Sequence, residues 1–211
     1  MASADMALSS SEALPREGAS DGLLLDLCRG GDPQAFARLV ALHEGMVFNL
    51  AARLLGDPEE AKDASQEVFL QVFRTLARFE GRSSLRTWIF RIVVNHCRNR
   101  QRWWRRRRKD RCCAIEDLTP SQEARLPAGP EGESPYEHAR RGEEARQVQA
   151  ALLRLSFDHR AILLLREVEG FTCEQVAAAL RLPEGTVKSR LARARDALRR
   201  QLEGTLGSAR P

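Results

Sequence analysis

Apolar residues recur at spacings of three and four through two long stretches of the chain, and neither stretch alternates as a half-buried strand would. The first stretch runs from Leu23 to about Arg111. Leu23-Leu24-Leu25-Asp26-Leu27-Cys28 predicts a short helix that Gly30-Gly31 closes. Asp32-Pro33 then supplies an N-cap carboxylate and a proline at the first helical position, where its missing N–H costs nothing. The helix it starts places Phe36, Leu39, Val40 and Val47 on one side. Gly56-Asp57-Pro58 repeats the punctuation and opens a helix to about Phe79. A loop, Glu80 to Ser84, precedes a last helix from about Leu85 into a run of arginines.

The pattern breaks between Glu116 and about Glu137, where Pro120, Pro127, Gly129, Pro130, Gly132 and Pro135 alternate with Glu and Ser. Such a segment buries nothing and reads as a linker. A second helical block follows from about Arg140, with helices near Glu143–Leu155, Asp158–Glu167, Thr172–Leu180 and Glu184–Leu202. The expected fold is all-α: two small helical domains on a flexible tether. The boundaries are a disordered extension over 1–22, a first domain over 23–111, a linker over 112–142, a second domain over 143–203 and a disordered tail over 204–211.

Charge sharpens this picture. The 211 residues carry a formal net charge of +5, which alone says little. Its placement says more, because cations concentrate from Arg98 to Lys109 and again from Lys188 to Arg200. Stripes of that kind neutralise phosphates and release counterions. No apolar run approaches the roughly 20 residues a membrane span needs, so no membrane insertion is expected. Met1 to Ala19 lacks the basic and apolar parts of a signal peptide, and the expected location is cytoplasmic. The five cysteines are odd in number and scattered, without metal-ligand spacing, so neither a disulfide framework nor a bound metal is expected. Cys112-Cys113 borders arginines that favour thiolate and is a candidate for oxidation sensing.

In the second domain, Thr172-Cys173-Glu174-Gln175 fits a capping box, and Val176, Ala177 and Leu180 give its helix a buried face. Arg181-Leu182-Pro183-Glu184-Gly185 makes a tight turn, with Leu182 as a plug between helices. In the next helix Val187, Leu191, Ala194 and Leu198 form one apolar stripe. The opposite face carries Lys188, Ser189, Arg190, Ala192, Arg193 and Arg195. One packed side and one side of Arg, Lys and Ser is what a recognition helix in the major groove requires. A solvated basic helix face is the plainer alternative, but the cap, turn and basic helix occur together.

The same residues carry a family resemblance. Leu155 to Gly170, then Phe171-Thr172-Cys173-Glu174-Gln175-Val176-Ala177, then Gly185-Thr186-Val187-Lys188-Ser189-Arg190-Leu191-Ala192-Arg193-Ala194-Arg195 closely resemble region 4 of the extracytoplasmic-function (ECF) sigma factors. The resemblance implies contact with the −35 promoter element, with base contact at Lys188, Ser189, Ala192 and Arg193. Thr186, Arg190 and Arg195 are then phosphate or packing positions. Ser156, Cys173 and Arg181 depart from the family pattern, which has Pro, an aromatic and Gly near these places.

In the first domain, Ala61, Ala64, Val68, Phe69, Val72 and Leu76 gather on one side of a helix, and Asp63, Gln66, Glu67, Leu70 and Arg74 on the other. Asp63-Ala64-Ser65-Gln66-Glu67-Val68-Phe69 resembles region 2.2 of the same family. This implies docking on the clamp helices of the RNA polymerase β′ subunit through Asp63, Gln66, Glu67 and Leu70. Phe79 to Asn95 resembles regions 2.3 and 2.4, where a loop and helix hold the −10 element. Trapping an unstacked base costs a few kcal/mol, which stacking and edge hydrogen bonds offset. Phe79 and Asn95 match the base-pocket positions, and Arg82, Ser83 and Ser84 lie in the loop that supplies donors. Trp88, Arg91 and Arg98 are candidates for the non-template strand, although Trp88 serves equally well as a core aromatic.

The resemblance implies a factor that binds core RNA polymerase and promoter DNA and starts transcription at chosen sites, with no cofactor and no catalytic residue. An anti-sigma protein is a further expected partner. A ligand-controlled activator would need a sensing domain that the N-terminal half does not offer. A metal-dependent nuclease would need a third carboxylate beside Asp63 and Glu67.

Overall fold

A computed structural model describes residues 19–110 and 135–207. The extension up to residue 18, the Cys112-Cys113 pair, most of the linker and the last residues lie outside the described residues. Every element among them is helical: α1 (Ala19–Arg29), α2 (Pro33–Leu55), α3 (Pro58–Thr75) and α4 (Leu85–Asp110), then α5 (Pro135–Arg154), α6 (Phe157–Leu163), α7 (Cys173–Leu180) and α8 (Glu184–Gly207). The expectation of an all-α fold holds. A 3₁₀ turn, Leu76–Arg78, tightens the end of α3, and a π turn, Leu164–Val168, prolongs α6. The outer ends differ from expectation. α1 begins at Ala19, α5 reaches back to Pro135, and α8 continues to Gly207. A proline can open a helix as readily as it breaks one, which explains the start of α5 inside the proline-rich stretch.

The starts of the inner helices are set by local chemistry. Asp32 accepts from the backbone N–H groups of Gln34 and Ala35, and Asp57 from those of Glu59 and Glu60. At α7 the Thr172 hydroxyl accepts from Gln175 N while the Gln175 side chain accepts from Thr172 N, completing the capping box. Ser156 caps α6 through His159 N, so the residue that stands in place of the family's proline does useful local work. Arg181 ends α7 at φ 55°, the one described non-glycine residue with a left-handed backbone. Glycine bears that conformation without a Cβ penalty, which accounts for the family's preference there.

α2, α3 and α4 pack around Leu39, Val47, Leu50, Leu54, Val68, Val72, Ile89, Phe90 and Val93. α6, α7 and α8 enclose Ile162, Leu164, Leu165, Val176, Val187, Leu191 and Ala194. The two cores are continuous, because the modules sit directly on each other. The Phe90 and Phe171 rings meet edge to face at 4.9 Å, and the Arg86 guanidinium lies 5.5 Å and 5.3 Å from their centroids. Arg86 also reaches the Glu169 carboxylate at 3.3 Å. Leu153 fills the space beside Gly56, where any added Cβ would fall 2.6 Å from its Cδ1.

Arg160 ties this seam together. Only 2% exposed, it donates to the carbonyl of Leu54 at the end of α2, to those of Leu152 and Leu153 in the last turn of α5, and to that of Leu155 just after it. A guanidinium there offsets the negative ends of two helices and satisfies carbonyls that lack helical partners. Burial first, and the Arg105 charge second, push its pKa down to about 10, still far enough above neutrality to keep the charge. Hydrogen bonds to charged groups contribute more than neutral ones, and leaving carbonyls buried without a donor adds to the loss. Arg160→Leu should therefore destabilise the fold by about 3 kcal/mol in urea denaturation, with Arg160→Lys recovering part of it.

Candidate nucleic-acid interface

Three surfaces gather the residues singled out by sequence. The first is on α8. Val187, Leu191 and Ala194 are buried, and Leu198 packs against the core from its margin. That orientation leaves Lys188, Ser189, Ala192 and Arg193 exposed together. α7 and the Arg181–Pro183 turn brace α8, with Leu182 packed against the core as a partial plug. Lys188 is paired with Glu184 one turn earlier at 2.7 Å, and the hydrogen bond to that carboxylate raises its pKa. Ser189 donates to Thr186 O at 3.1 Å. Thr186 and Arg190 are half-buried, and two of the arginines already have partners. Arg195 is held by Glu167 at 2.5 Å, and Arg190 lies 3.9 Å from Asp158.

The second surface is the loop before α4 and the first half of that helix. Ser84 caps α4: its hydroxyl accepts from Thr87 N at 3.2 Å and lies 2.9 Å from the Thr87 hydroxyl. Arg82 is exposed and paired with Glu80 at 2.6 Å, and Ser83 lies half-buried beside it. Phe79 is buried, with its ring 5.1 Å from that of Trp88, so Phe79 forms a floor under the loop and leaves little ring surface free. Trp88 is half-buried over it, with one side on the core and one side open. Asn95 is exposed. Arg91 is half-buried with its Nε unpartnered, and burial, followed by repulsion from Arg181, lowers its pKa. Arg98 reaches Asp158 at 3.1 Å and lies 5.5 Å from the Phe157 ring.

The third surface runs along α3. Asp63, Gln66, Glu67 and Leu70 are all exposed and share one face. Arg100 binds Glu60 and reaches Asp63 at 3.3 Å, so part of this acidic ridge is internally neutralised. Sequence reasoning missed the apolar half of the surface. Phe73 is 61% exposed and Leu70 47% exposed, and with Phe36, Val40, Gln66 and Phe69 they line a groove of about 400 Å³ between α2 and α3. Phe36 and Phe73 meet edge to face at 5.1 Å. The missed signal was present: Phe73 lies three residues after Leu70 and off the buried stripe of Ala61, Ala64, Val68 and Val72.

Among the described residues no cluster of His, Cys, Asp and Glu could hold a metal ion. No described helix is long and apolar enough to cross a membrane.

Comparison with known proteins gives these surfaces a context. Residues 39–110 match the Sigma-70 region 2 family and residues 145–198 the Sigma-70, region 4 family. The RNA polymerase sigma-H factor of Pseudomonas aeruginosa is 34% identical over 189 residues, covering 90% of this chain and 97% of that protein. The ECF RNA polymerase sigma-E factor of Escherichia coli is 31% identical, covering 85% of this chain and 92% of that protein. Among solved structures, CnrH in complex with the cytosolic domain of CnrY is similar at a TM-score of 0.60 and 26% identity, over 90% of this chain and 99% of that one. The sigma factor RpoE in complex with the anti-sigma factor NepR, from Bartonella quintana, reaches 0.63 and 25%, over 80% and 96%.

Proposed function

The chain belongs to the ECF branch of the sigma-70 family, and from that premise we propose that it divides promoter recognition between its two modules. It binds core RNA polymerase and directs initiation at promoters. On our reading α8 enters the major groove of the −35 element, where Lys188, Ser189, Ala192 and Arg193 face base edges. The loop before α4 and the residues Trp88, Arg91, Asn95 and Arg98 hold the separated −10 strand. The ridge of Asp63, Gln66, Glu67 and Leu70 seats the factor on the β′ clamp helices. The single observation that carries this reading is α8 itself: a capped partner helix and buried Val187, Leu191 and Ala194 turn its basic side to solvent.

The factor supplies no bond-making chemistry; polymerisation belongs to the enzyme it recruits. Its place of work is the cytoplasm, where that enzyme and the chromosome are. The similar sigma factor RpoE is held by the anti-sigma factor NepR, and an anti-sigma protein that holds the two modules of this chain together would keep it from promoters.

Holoenzyme made from the purified chain and core polymerase should open discrete sites in bacterial genomic DNA, detected as permanganate-reactive thymines near −10. Openings that also occur with core polymerase alone would refute the reading. At the −35 element, Lys188→Ala and Arg193→Ala should each cost about 1–3 kcal/mol and relax discrimination at one or two base pairs. Competition binding with every single-base variant of the element measures this. A uniform loss across all variants would assign these side chains to phosphates.

A further inference from the structure

α4 does not stop where its −10 candidates stop. It carries ten basic residues, and its one acid is the terminal Asp110. Three of the four basic residues nearer its start have ion-pair partners, Arg86 with Glu169, Arg98 with Asp158 and Arg100 with Glu60 and Asp63, and the fourth, Arg91, is half-buried. Among the described residues, Arg102, Arg105 and Arg106 form no ion pair, and all three are exposed. At 100° per residue, Arg91, Asn95, Arg98, Arg102, Arg105 and Arg106 fall within one arc of about 100°. The unpaired arginines thus continue the face already assigned to −10 DNA. Like charges crowded along one helix repel unless something outside the protein neutralises them.

We propose that Arg102, Arg105 and Arg106 form a further DNA contact, gripping the phosphate backbone of the duplex between the −10 and −35 elements irrespective of its sequence. The proposal rests on the reading of α4 as the −10 helix. From Asn95 to Arg106 the helix rises about 17 Å at ~1.5 Å per residue, or about 5 base pairs at ~3.4 Å each. The direction follows from chain order, because the C-terminal end of α4 leads through the linker to the module that reads the upstream element. A membrane surface fits less well. Trp103 and Trp104, 47% and 41% exposed, are successive residues about 100° apart, with arginines on either side, and an interfacial helix needs a continuous apolar face. The Arg107 guanidinium is instead spent on the Trp103 ring, 4.1 Å from its centroid, on the flank of the stripe.

The test uses holoenzyme made from the full chain and a promoter recovered by the opening assay. Arg102→Gln, Arg105→Gln and Arg106→Gln are combined, and circular dichroism and core-polymerase binding verify that the variant folds and docks. Each phosphate contact contributes about 0.9 to the slope of log Kobs against log salt, so the triple variant should be shallower by about 2–3. Its affinity should fall on the order of 10- to 100-fold, equally for promoters altered at −10 or −35. Neutral methylphosphonates placed in the spacer should weaken wild-type binding and leave the variant unaffected. An unchanged slope, spacer methylphosphonates without effect, or a loss confined to phosphatidylglycerol vesicles would each overturn the proposal. Failure of the sigma reading looks different: wild-type holoenzyme then forms no promoter complex at any salt, and this contact falls with it.

Discussion

Cross-linking the two modules in the arrangement described here should abolish promoter-directed initiation while leaving the helical fold intact. Arg98, a −10 candidate, and Arg190, a −35 candidate, lie 3.1 Å and 3.9 Å from the same Asp158 carboxylate. Elements whose names place them about 25 base pairs apart are separated by roughly 85 Å along a duplex at ~3.4 Å per pair. One closed body cannot touch both, so promoter binding requires the Phe90–Phe171 seam and the Arg160–Leu54 hydrogen bond to give way. A short bismaleimide across Arg86→Cys and Glu169→Cys, in a background without other cysteines, fixes the seam where those side chains now meet at 3.3 Å. Run-off transcription should fall by more than about 100-fold on linking, since an 85 Å separation leaves no partial solution. The same double variant without the linker should remain active. A linked protein that initiates normally would show that the closed arrangement is compatible with promoter reading.

The second large effect should come from the groove between α2 and α3. An exposed leucine and an exposed phenylalanine three residues apart, beside an acidic ridge, are costly to leave in water and gain on docking. Burying each such side chain contributes about 1.5–3 kcal/mol. Leu70→Asp forfeits that gain and sets a carboxylate against an apolar contact, so polymerase affinity should drop by about 3–4 kcal/mol, on the order of several hundred-fold. Phe73→Ala should cost less, because the Phe36 ring still covers part of the groove. Fluorescence anisotropy with core polymerase measures both, and thermal unfolding should barely change because neither side chain is in the core. Wild-type affinity in Leu70→Asp would move the docking surface elsewhere.

What was legible in the sequence was local. The N-caps at Asp32 and Asp57 and the capping box at Thr172 involve partners within three residues, so their spacing alone announces them. The stripe of Val187, Leu191 and Ala194 was legible for the same reason, and it oriented the basic face of α8. The seam between modules was not. Arg160 looks like one more surface cation until Leu54, over a hundred positions earlier, comes within reach of its guanidinium. Phe171 reads as a lone aromatic beside a turn, and only the fold brings Phe90 against it. The site residues fared unevenly for a related reason. Exposure of Lys188 or Asn95 follows from helical period, whereas the burial of Phe79 and the pairing of Arg98 with Asp158 depend on neighbours that no period specifies.

Reading two promoter elements on behalf of RNA polymerase is tested most directly by mapping transcript 5′ ends made by core polymerase with and without this protein. Adding it should create a defined set of start sites, each preceded by shared sequences near −10 and −35, and Lys188→Ala should weaken that set according to the upstream sequence. Start sites that are the same in both reactions would contradict the account.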